Sequence, residues 1–492
     1  MMALAQMATI PGRNDYIRIL PEIVLSVFGL LIMFLDPVLD ERRSRRILGG
    51  IGLIGAILAL VASFYQAQTQ FWGLAFWNMV KVDAFSVFFH VVVAAVTILV
   101  ILSSYEYMEV QQIRAGEYYG LILFGAVGMD LMSSAMELVL IFIALEISSI
   151  ATYILAGFRR RSAISSESSV KYFLLGSFAT AFFLYGVALI FGATGSTSIS
   201  VIGQSLAQFS NNGPLLAYLG VALMFVGLGF KVAAAPFHVW TPDVYEGAPS
   251  PVVAFMSTAP KAAVFAVLLR IMFQANTPYP ARLSLIWVAA VLSMTIGNIA
   301  ALVQDNVKRL LAYSSIAHAG YLLVAFASLP KNGIPAAMFY AASYAAMNVG
   351  AFAVVGHFAG AGEKYVTIED YAGLGKRSPL LAAVFTGFLL SLIGIPLFGG
   401  FFAKFYVFTA AMQSNLVGLV IIGVINSAIA AYYYLRVVVF MYMREPREEV
   451  PVARVPAALG LAIGLSLAIT IYLGVQPTRV LDYARQSADL LR

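Results

Sequence analysis

Hydrophobic residues along this chain come in windows of about 20, each long enough to cross the hydrocarbon core of a bilayer as a helix. About fourteen such windows recur from end to end, at roughly 17–37, 47–66, 84–105, 118–135, 137–157, 171–193, 214–239, 251–273, 284–303, 309–329, 335–359, 380–410, 416–440 and 455–475. The two between 118 and 157 run almost together. No stretch between windows exceeds about 20 residues, too short for a soluble domain. The pattern predicts an all-α polytopic membrane protein of about 14 transmembrane helices. A basic segment followed by a short apolar core and a small-residue cleavage site is missing ahead of the first window, so no cleaved signal peptide is expected.

The polar residues that interrupt these windows are few and isolated. Lys231 follows a run, residues 214–230, without a single charge. An ammonium placed that deep costs roughly 2.5–3.5 kcal/mol even on lenient insertion scales, so a functional site is the default expectation. Glu146 lies in MELVLIFIALEISSIATYIL (136–155), and a carboxylate there must pair with a cation or take up a proton. Glu137 falls near a helix end and reads as interfacial. Lys261 follows Pro260 about a third of the way into its window, where snorkelling to the interface and a buried role both fit. His318 sits amid Ser314, Ser315 and Tyr321, either titrating or serving as a hydrogen-bonding group. Glu167 and Lys171 are one helical turn apart near a helix end, a spacing equally suited to a surface salt bridge. His238 follows a helix break and either lines a path or satisfies freed carbonyls. His90 and His357 have no polar neighbours in sequence to favour a role.

Two windows are themselves interrupted. Pro236 follows Lys231 by five residues and removes a backbone donor. In SLIGIPLFGGFFAKFYVF (391–408), Gly394, Pro396, Gly399 and Gly400 break the run just before Lys404. Paired interruptions in the two halves of a transporter point to the substrate path, because half-helix ends leave backbone dipoles free to face ions. The spacing of five spans is what duplication of a five-helix unit would produce. Glu146, Lys231, Lys261, His318 and Lys404 then form an inventory of titratable groups, one per span, suited to a proton relay. Lysines repel metal cations, whose channels need acidic or carbonyl rings.

Composition narrows the chemistry. The chain is 61% hydrophobic and 11% charged, far below the charge of a soluble domain. With no cysteine there are no disulfides and no cysteine-held zinc or iron–sulfur cluster. The four histidines are scattered, no phosphate loop or dinucleotide fingerprint appears, and no cofactor or metal is expected in this chain. Basic residues cluster at Arg42, Arg43, Arg45 and Arg46, at Arg159, Arg160 and Arg161, at Lys308 and Arg309, at Lys376 and Arg377, and at Arg444 and Arg447. With about fourteen spans these loops share one side, while the other carries only scattered bases such as Lys81, Arg282 and Lys331. The positive-inside rule makes the clustered side cytoplasmic and puts both termini outside, and it makes nucleic acid a poor partner.

Four segments carry a family resemblance: ALEISSIATYIL, GFKVAAAPFHVWTPDVYEGAPSPV, KRLLAYSSIAHAGYLLVAF and GIPLFGGFFAKFYVF. They resemble the antiporter-like membrane subunits of respiratory complex I, the proton-pumping NADH:quinone oxidoreductase, and of Mrp-type sodium/proton antiporters. Within that family the chain is similar to the subunit N branch, through PFHVWTPDVYEGAPSPV, Lys404 and a length that ends soon after the last span. The resemblance implies two inverted five-helix repeats, each with a discontinuous helix, over residues 118–273 and 284–440, preceded by three helices in 1–117 and followed by a last span and short tail in 441–492. It implies that Glu146 and Lys231 are an ion pair of the first half-channel, with Glu167 and Lys171 near its cytoplasmic inlet. Lys261 would connect to the second half, Lys404 would be its terminal lysine, and His318 would lie between them. FMN, iron–sulfur clusters and quinone are expected in partner subunits, which with lipids are the expected partners. The implied location is the bacterial inner membrane. A stand-alone or Mrp-type antiporter is the alternative.

Overall fold

The computed structural model describes residues 11–39, 41–113, 116–208, 215–274, 279–328, 330–446 and 453–489. Arg447 lies outside the described residues, as do the side chains of Arg42, Arg43, Arg45 and Arg282. A short helix α1 (Arg13–Arg18) leads into α2 (Leu20–Leu35) and α3 (Glu41–Thr69). An antiparallel ribbon, β1 (Gly73–Ala75) with β2 (Val80–Val82), departs from the all-helical expectation before α4 (Ala84–Val110). Next come α5 (Glu117–Ser134), α6 (Leu138–Ala156), α7 (Ala163–Thr194) and the short α8 (Ile199–Ala207). The first interrupted window is α9 (Leu215–Val232) with α10 (Thr241–Gly247), and α11 (Ser250–Met256) and α12 (Ala259–Gln274) follow. The rest comprises α13 (Tyr279–Leu302), α14 (Val307–Ala327), α15 (Pro330–Ala359), the broken pair α16 (Pro379–Ile393) and α17 (Gly399–Gln413), α18 (Val417–Met443), α19 (Ala457–Val475) and α20 (Pro477–Asp489).

Among the described residues, twelve helical stretches are long and apolar enough to cross a membrane. The other two predicted windows hold α5, which carries Asp130, and the two 15-residue halves α16 and α17. Side chains such as Phe34, Phe178 and Leu380 stand exposed on helix flanks, an apolar girdle that only lipid or another apolar surface would cover. Both expected breaks are present. Counting from α5, the fourth span is broken at residues 233–240; counting from α13, the fourth is broken at 394–398.

Local chemistry explains each boundary. α9 stops at Val232, four residues before Pro236, whose ring would clash with that carbonyl if the helix continued. The Phe230 carbonyl accepts from the Ala233 N–H and from Trp240 Nε1, each at 3.0 Å, and the Ala235 N–H donates to Ser293 Oγ at 2.8 Å. Trp240 thus serves one carbonyl at the break, and the His238 ring interacts with the Pro236 carbonyl, in keeping with the reading that it satisfies freed backbone groups. A third interruption was not foreseen. Pro260 removes the donor for the Met256 carbonyl, so the predicted 251–273 span divides between α11 and α12 at Ser257 and Thr258. The expected short tail is a helix, α20, whose Tyr483 ring stacks on Phe88 at 6.3 Å. Glu137, read as lying at a helix end, caps α6 by accepting the Leu140 N–H at 2.7 Å.

Without a hydrophobic drive between helices in lipid, close approach depends on small residues. A Cβ on Gly320 would lie 2.6 Å from Met294 N, and one on Gly297 2.6 Å from Ala317 N, which brings the backbones of α13 and α14 together. At the second break, a Cβ on Gly399 would lie 2.5 Å from Ser343 Oγ, and one on Gly400 would collide with the Ser391 carbonyl. Gly400→Ala is therefore expected to destabilise the protein by about 1–3 kcal/mol through overpacking. Its thermal midpoint in detergent checks this; a midpoint equal to wild type would show that α16 and α17 can slide apart freely.

Candidate functional site: a row of buried lysines

Lys231, near the C-terminal end of α9, is 5% exposed. Its Nζ donates to Tyr153 Oη at 3.1 Å and lies 4.5 Å from the Tyr153 ring centre and 5.1 Å from that of Tyr172. Two aromatic faces thus hold the ammonium where water is excluded. Tyr172 in turn stacks on Trp240 at 4.5 Å, with the rings 13° from parallel, so the helix break supplies one wall of this box. The direct Glu146–Lys231 ion pair is not present, since no nitrogen–oxygen contact within 4 Å joins them. Tyr153, two turns further along α6 than Glu146, occupies the place at Lys231. Glu146 still acts on Lys231 and Tyr153 through its charge, and its buried Oε1 has no hydrogen-bond partner.

Lys171 Nζ lies 2.7 Å from Glu167 Oε1, the expected one-turn pair, and also 2.7 Å from Asp243 Oδ2 on α10. Asp243 accepts from Arg309 at 2.8 Å, and Arg309 reaches Glu246 at 2.7 Å. The network fastens the short half of the broken helix to α7 and α14. His238 takes no part in it.

The second half is held by neutral partners. Lys261, 3% exposed, does not snorkel: its Nζ donates to Ser315 Oγ at 2.6 Å and to the Ser315 carbonyl at 3.2 Å. Tyr344 also donates to Ser315 Oγ, at 2.7 Å. One turn along α14, His318 Nδ1 meets Tyr340 Oη at 2.6 Å, and its Nε2 lies 3.5 Å from Tyr434 Oη, which itself bonds Ser314. A further turn on, the Tyr321 ring centre lies 4.7 Å from Lys404 Nζ. Residues 315, 318 and 321 recur every three positions, so one face of α14 carries the row from Lys261 to Lys404. Lys261, Ser315, His318, Tyr340 and Tyr344 line a cavity with about 10 Å³ of room for a water-sized sphere, close to the size a single water needs.

Lys404 closes the row. Its Nζ donates to the Ile393 carbonyl at 2.7 Å and to Ser427 Oγ at 2.8 Å. Ile393 is the last residue of α16, where the break leaves the helix's partial negative charge unpaired. Gly394 makes the turn at φ +95°, a conformation L side chains rarely adopt, and packs against the Lys404 stem. The second break thus supplies the carbonyl that Lys404 bonds.

The family model described as "NADH:quinone oxidoreductase/Mrp antiporter, TM" matches residues 135–430. NADH-quinone oxidoreductase subunit N 2 of Koribacter versatilis is 66% identical over 97% of this chain and 98% of its own length, and subunit N 1 of Solibacter usitatus is 51% identical over 97% and 98%. A chain in the structure of respiratory complex I from Thermus thermophilus with bound aureothin is 36% identical, with a TM-score of 0.78 over 94% of this chain and 98% of that one. This chain belongs to that family, on its subunit N branch. A chain of the Mrp complex from Dietzia shares the fold, with a TM-score of 0.84 at 20% identity.

Three polar groupings in this family member escaped the sequence reading. Arg270 on α12, fully buried, reaches Asp83 with both terminal nitrogens, at 2.8 and 3.2 Å. Its signal was present, a lone arginine in the apolar run VLLRIMF. His90, which seemed to lack polar neighbours, is surrounded by Glu22, Asp130 and Ser134 from other helices. Lys308 and Arg159, counted among surface clusters, both turn inward to Glu363 Oε2 at 2.7 Å. Among the described residues, no three His, Asp or Glu side chains could hold a metal ion.

Glu363 also accepts from Ser250 Oγ at 2.6 Å and Tyr107 Oη at 3.0 Å. Burial by itself would raise its carboxyl, but the charges of Lys308 and Arg159 outweigh that and hold it below the usual carboxylate range. A depressed folded-state value contributes stability in full above the unfolded carboxyl's value, and that stability is lost as pH falls through the folded value. The protein is therefore expected to lose stability as pH falls below the ordinary carboxylate range, and Glu363→Gln to flatten that acid limb while lowering stability at neutral pH. Thermal midpoints across pH check this, and an unchanged acid limb would remove Glu363 as a cause.

Proposed function

We propose that this chain is the proton-translocating subunit N of an NADH-quinone oxidoreductase in a bacterial inner membrane, with both termini on the outer side. The observation that carries the reading is the series Lys261, Ser315, His318, Tyr321 and Lys404. There, three buried cationic or ionisable groups meet only hydroxyls, carbonyls and rings, with no carboxylate to fix their charge. A cation held by neutral groups can give up its proton without leaving a buried anion behind, as an ion pair would. Ser315, Tyr340 and Tyr434 both donate and accept, so each can hand a proton on.

Lys231 and Glu146 supply the other half-channel. An ionised Glu146 favours the ammonium on Lys231 through its charge; neutralising Glu146 makes that proton easier to pass on. Glu167, Lys171 and Asp243 mark the inlet on the base-rich side. FMN, iron–sulfur clusters and quinone belong to partner subunits in this reading, and the driving change reaches this chain through its contacts with them.

The test uses the assembled complex in sealed vesicles. Glu146→Gln is expected to suppress proton translocation strongly while NADH oxidation and assembly persist, and Glu146→Asp to be milder. Full pumping in a correctly assembled Glu146→Gln complex would refute a need for this carboxylate. Translocation abolished by removing sodium would favour sodium/proton exchange instead.

A further inference from the structure

We propose that Glu22, His90 and Asp130 form a second proton-holding site, outside the lysine row and beside the Asp83–Arg270 pair. The proposal rests on the proton-translocating reading of the chain and adds a site to it. The three residues come from α2, α4 and α5, and are 3%, 0% and 0% exposed. His90 Nε2 approaches Ser134 Oγ at 2.8 Å, the Asp130 carbonyl oxygen at 3.2 Å and Glu22 Oε1 at 3.9 Å. Both carboxyl oxygens of Glu22, both of Asp130 and His90 Nδ1 are buried without a well-formed hydrogen bond, and the donor nearest to the Glu22 carboxyl is its own backbone N–H. Five such atoms in one cluster are far from the ordinary pattern, in which buried polar groups are satisfied.

Charge decides what the cluster holds. Glu22 and Asp130 are near enough to repel each other when both are ionised. Arg270, whose charge acts on His90, gives the two carboxyls no hydrogen bond, because it is spent on Asp83 and on the Ser133 carbonyl at 2.8 Å. Lys81 faces Asp83 at 3.6 Å, and Asp83 and Arg270 are the other charges that His90 feels. Two buried anions, with only the Glu22 backbone N–H as a donor and no cation bonded to either, would each cost several kcal/mol. Protons remove that cost: each carboxylic acid gains a donor, and His90 can take one more at Nδ1. Convergence of these donors on a metal ion is not what the geometry provides.

Arg270 links the site to the row. It lies nine residues beyond Lys261 on α12, about 14 Å along the helix axis, and bonds the backbone of α5 within a turn of Asp130. The cluster is thus placed where a branch from Lys261 would reach the end of the bundle that bears the β1–β2 ribbon.

Infrared difference spectra of the assembled complex at neutral pH test this, comparing wild type with Glu22→Gln and Asp130→Asn. The expected result is one protonated-carboxyl band lost in each variant, sensitive to deuterium exchange, with fewer protons translocated per electron and NADH:quinone electron transfer retained. Ionised carboxylates in the wild type, bands that shift with sodium, or both variants pumping as wild type would each overturn the site. Should a variant fail to assemble, pH titration of the wild-type bands decides the protonation state without it. Normal pumping in Lys231→Ala with the bands intact would instead sink the lysine-row reading and leave these protons in place.

Discussion

Lys404→Arg is expected to cut proton translocation by about tenfold or more, equivalent to ~1.4 kcal/mol in the barrier, although it keeps the positive charge. A relay residue must release its proton; lysine adapts its protonation when buried, whereas arginine stays charged. The seat is also shaped for an ammonium. Lys404 Nζ is a point donor to the Ile393 carbonyl and Ser427 Oγ, with the Tyr321 ring on one side and the Gly394 backbone against its stem. A planar guanidinium with five donors would find two acceptors there and would strain the break. Proton uptake by vesicles of the assembled complex is the measurement. Wild-type pumping would show that a fixed charge suffices and would demote Lys404 from relay to anchor of the α16 terminus.

The largest effect on folding is expected at Arg270. Burial alone would lift the Asp83 carboxyl, but Arg270, together with the Ser86 N–H and the charge of Lys81, outweighs this and holds it below the usual range. Arg270→Met would leave Asp83 buried without its main partner. Breaking such a pair from one side costs about 3–5 kcal/mol, a large share of the 5–15 kcal/mol that typically separates folded from unfolded chains. Lys81, 3.6 Å from Asp83, offers partial compensation and places the expectation at the lower end. Adding Asp83→Asn should recover part of the loss, since asparagine keeps an oxygen for the Ser86 N–H that Asp83 now caps. Yield of assembled complex and thermal midpoints of the two single variants and the double check the cycle. A double variant no more stable than Arg270→Met would mean that the arginine matters for its packing against Phe85, 4.9 Å away, and not for its charge.

The membrane class, both long breaks and the buried Lys231, Lys261, His318 and Lys404 were legible in the sequence, whereas Arg270, Asp83, Glu22 and Asp130 were not. The physical reason is that hydrocarbon tolerates so little: a lone lysine in an apolar window, or a proline inside one, stands out without any knowledge of its neighbours. What each of those groups touches was decided by tertiary structure. Lys231 faces Tyr153, two turns along α6, where Glu146 was expected, and the charge of Glu146 reaches it without a direct contact. Lys261 could have snorkelled on spacing alone, and only the packing of α12 against α14 turns it to Ser315. Pro260 was visible but did not read as a break, since Ser257 and Thr258 keep most backbone bonds made through that turn. His90, Glu22 and Asp130 looked unrelated for the same reason that Lys308 looked like surface charge. Their partners lie 40 or more residues away in the chain, and helical periodicity reports which face a residue occupies, not which helix arrives opposite it.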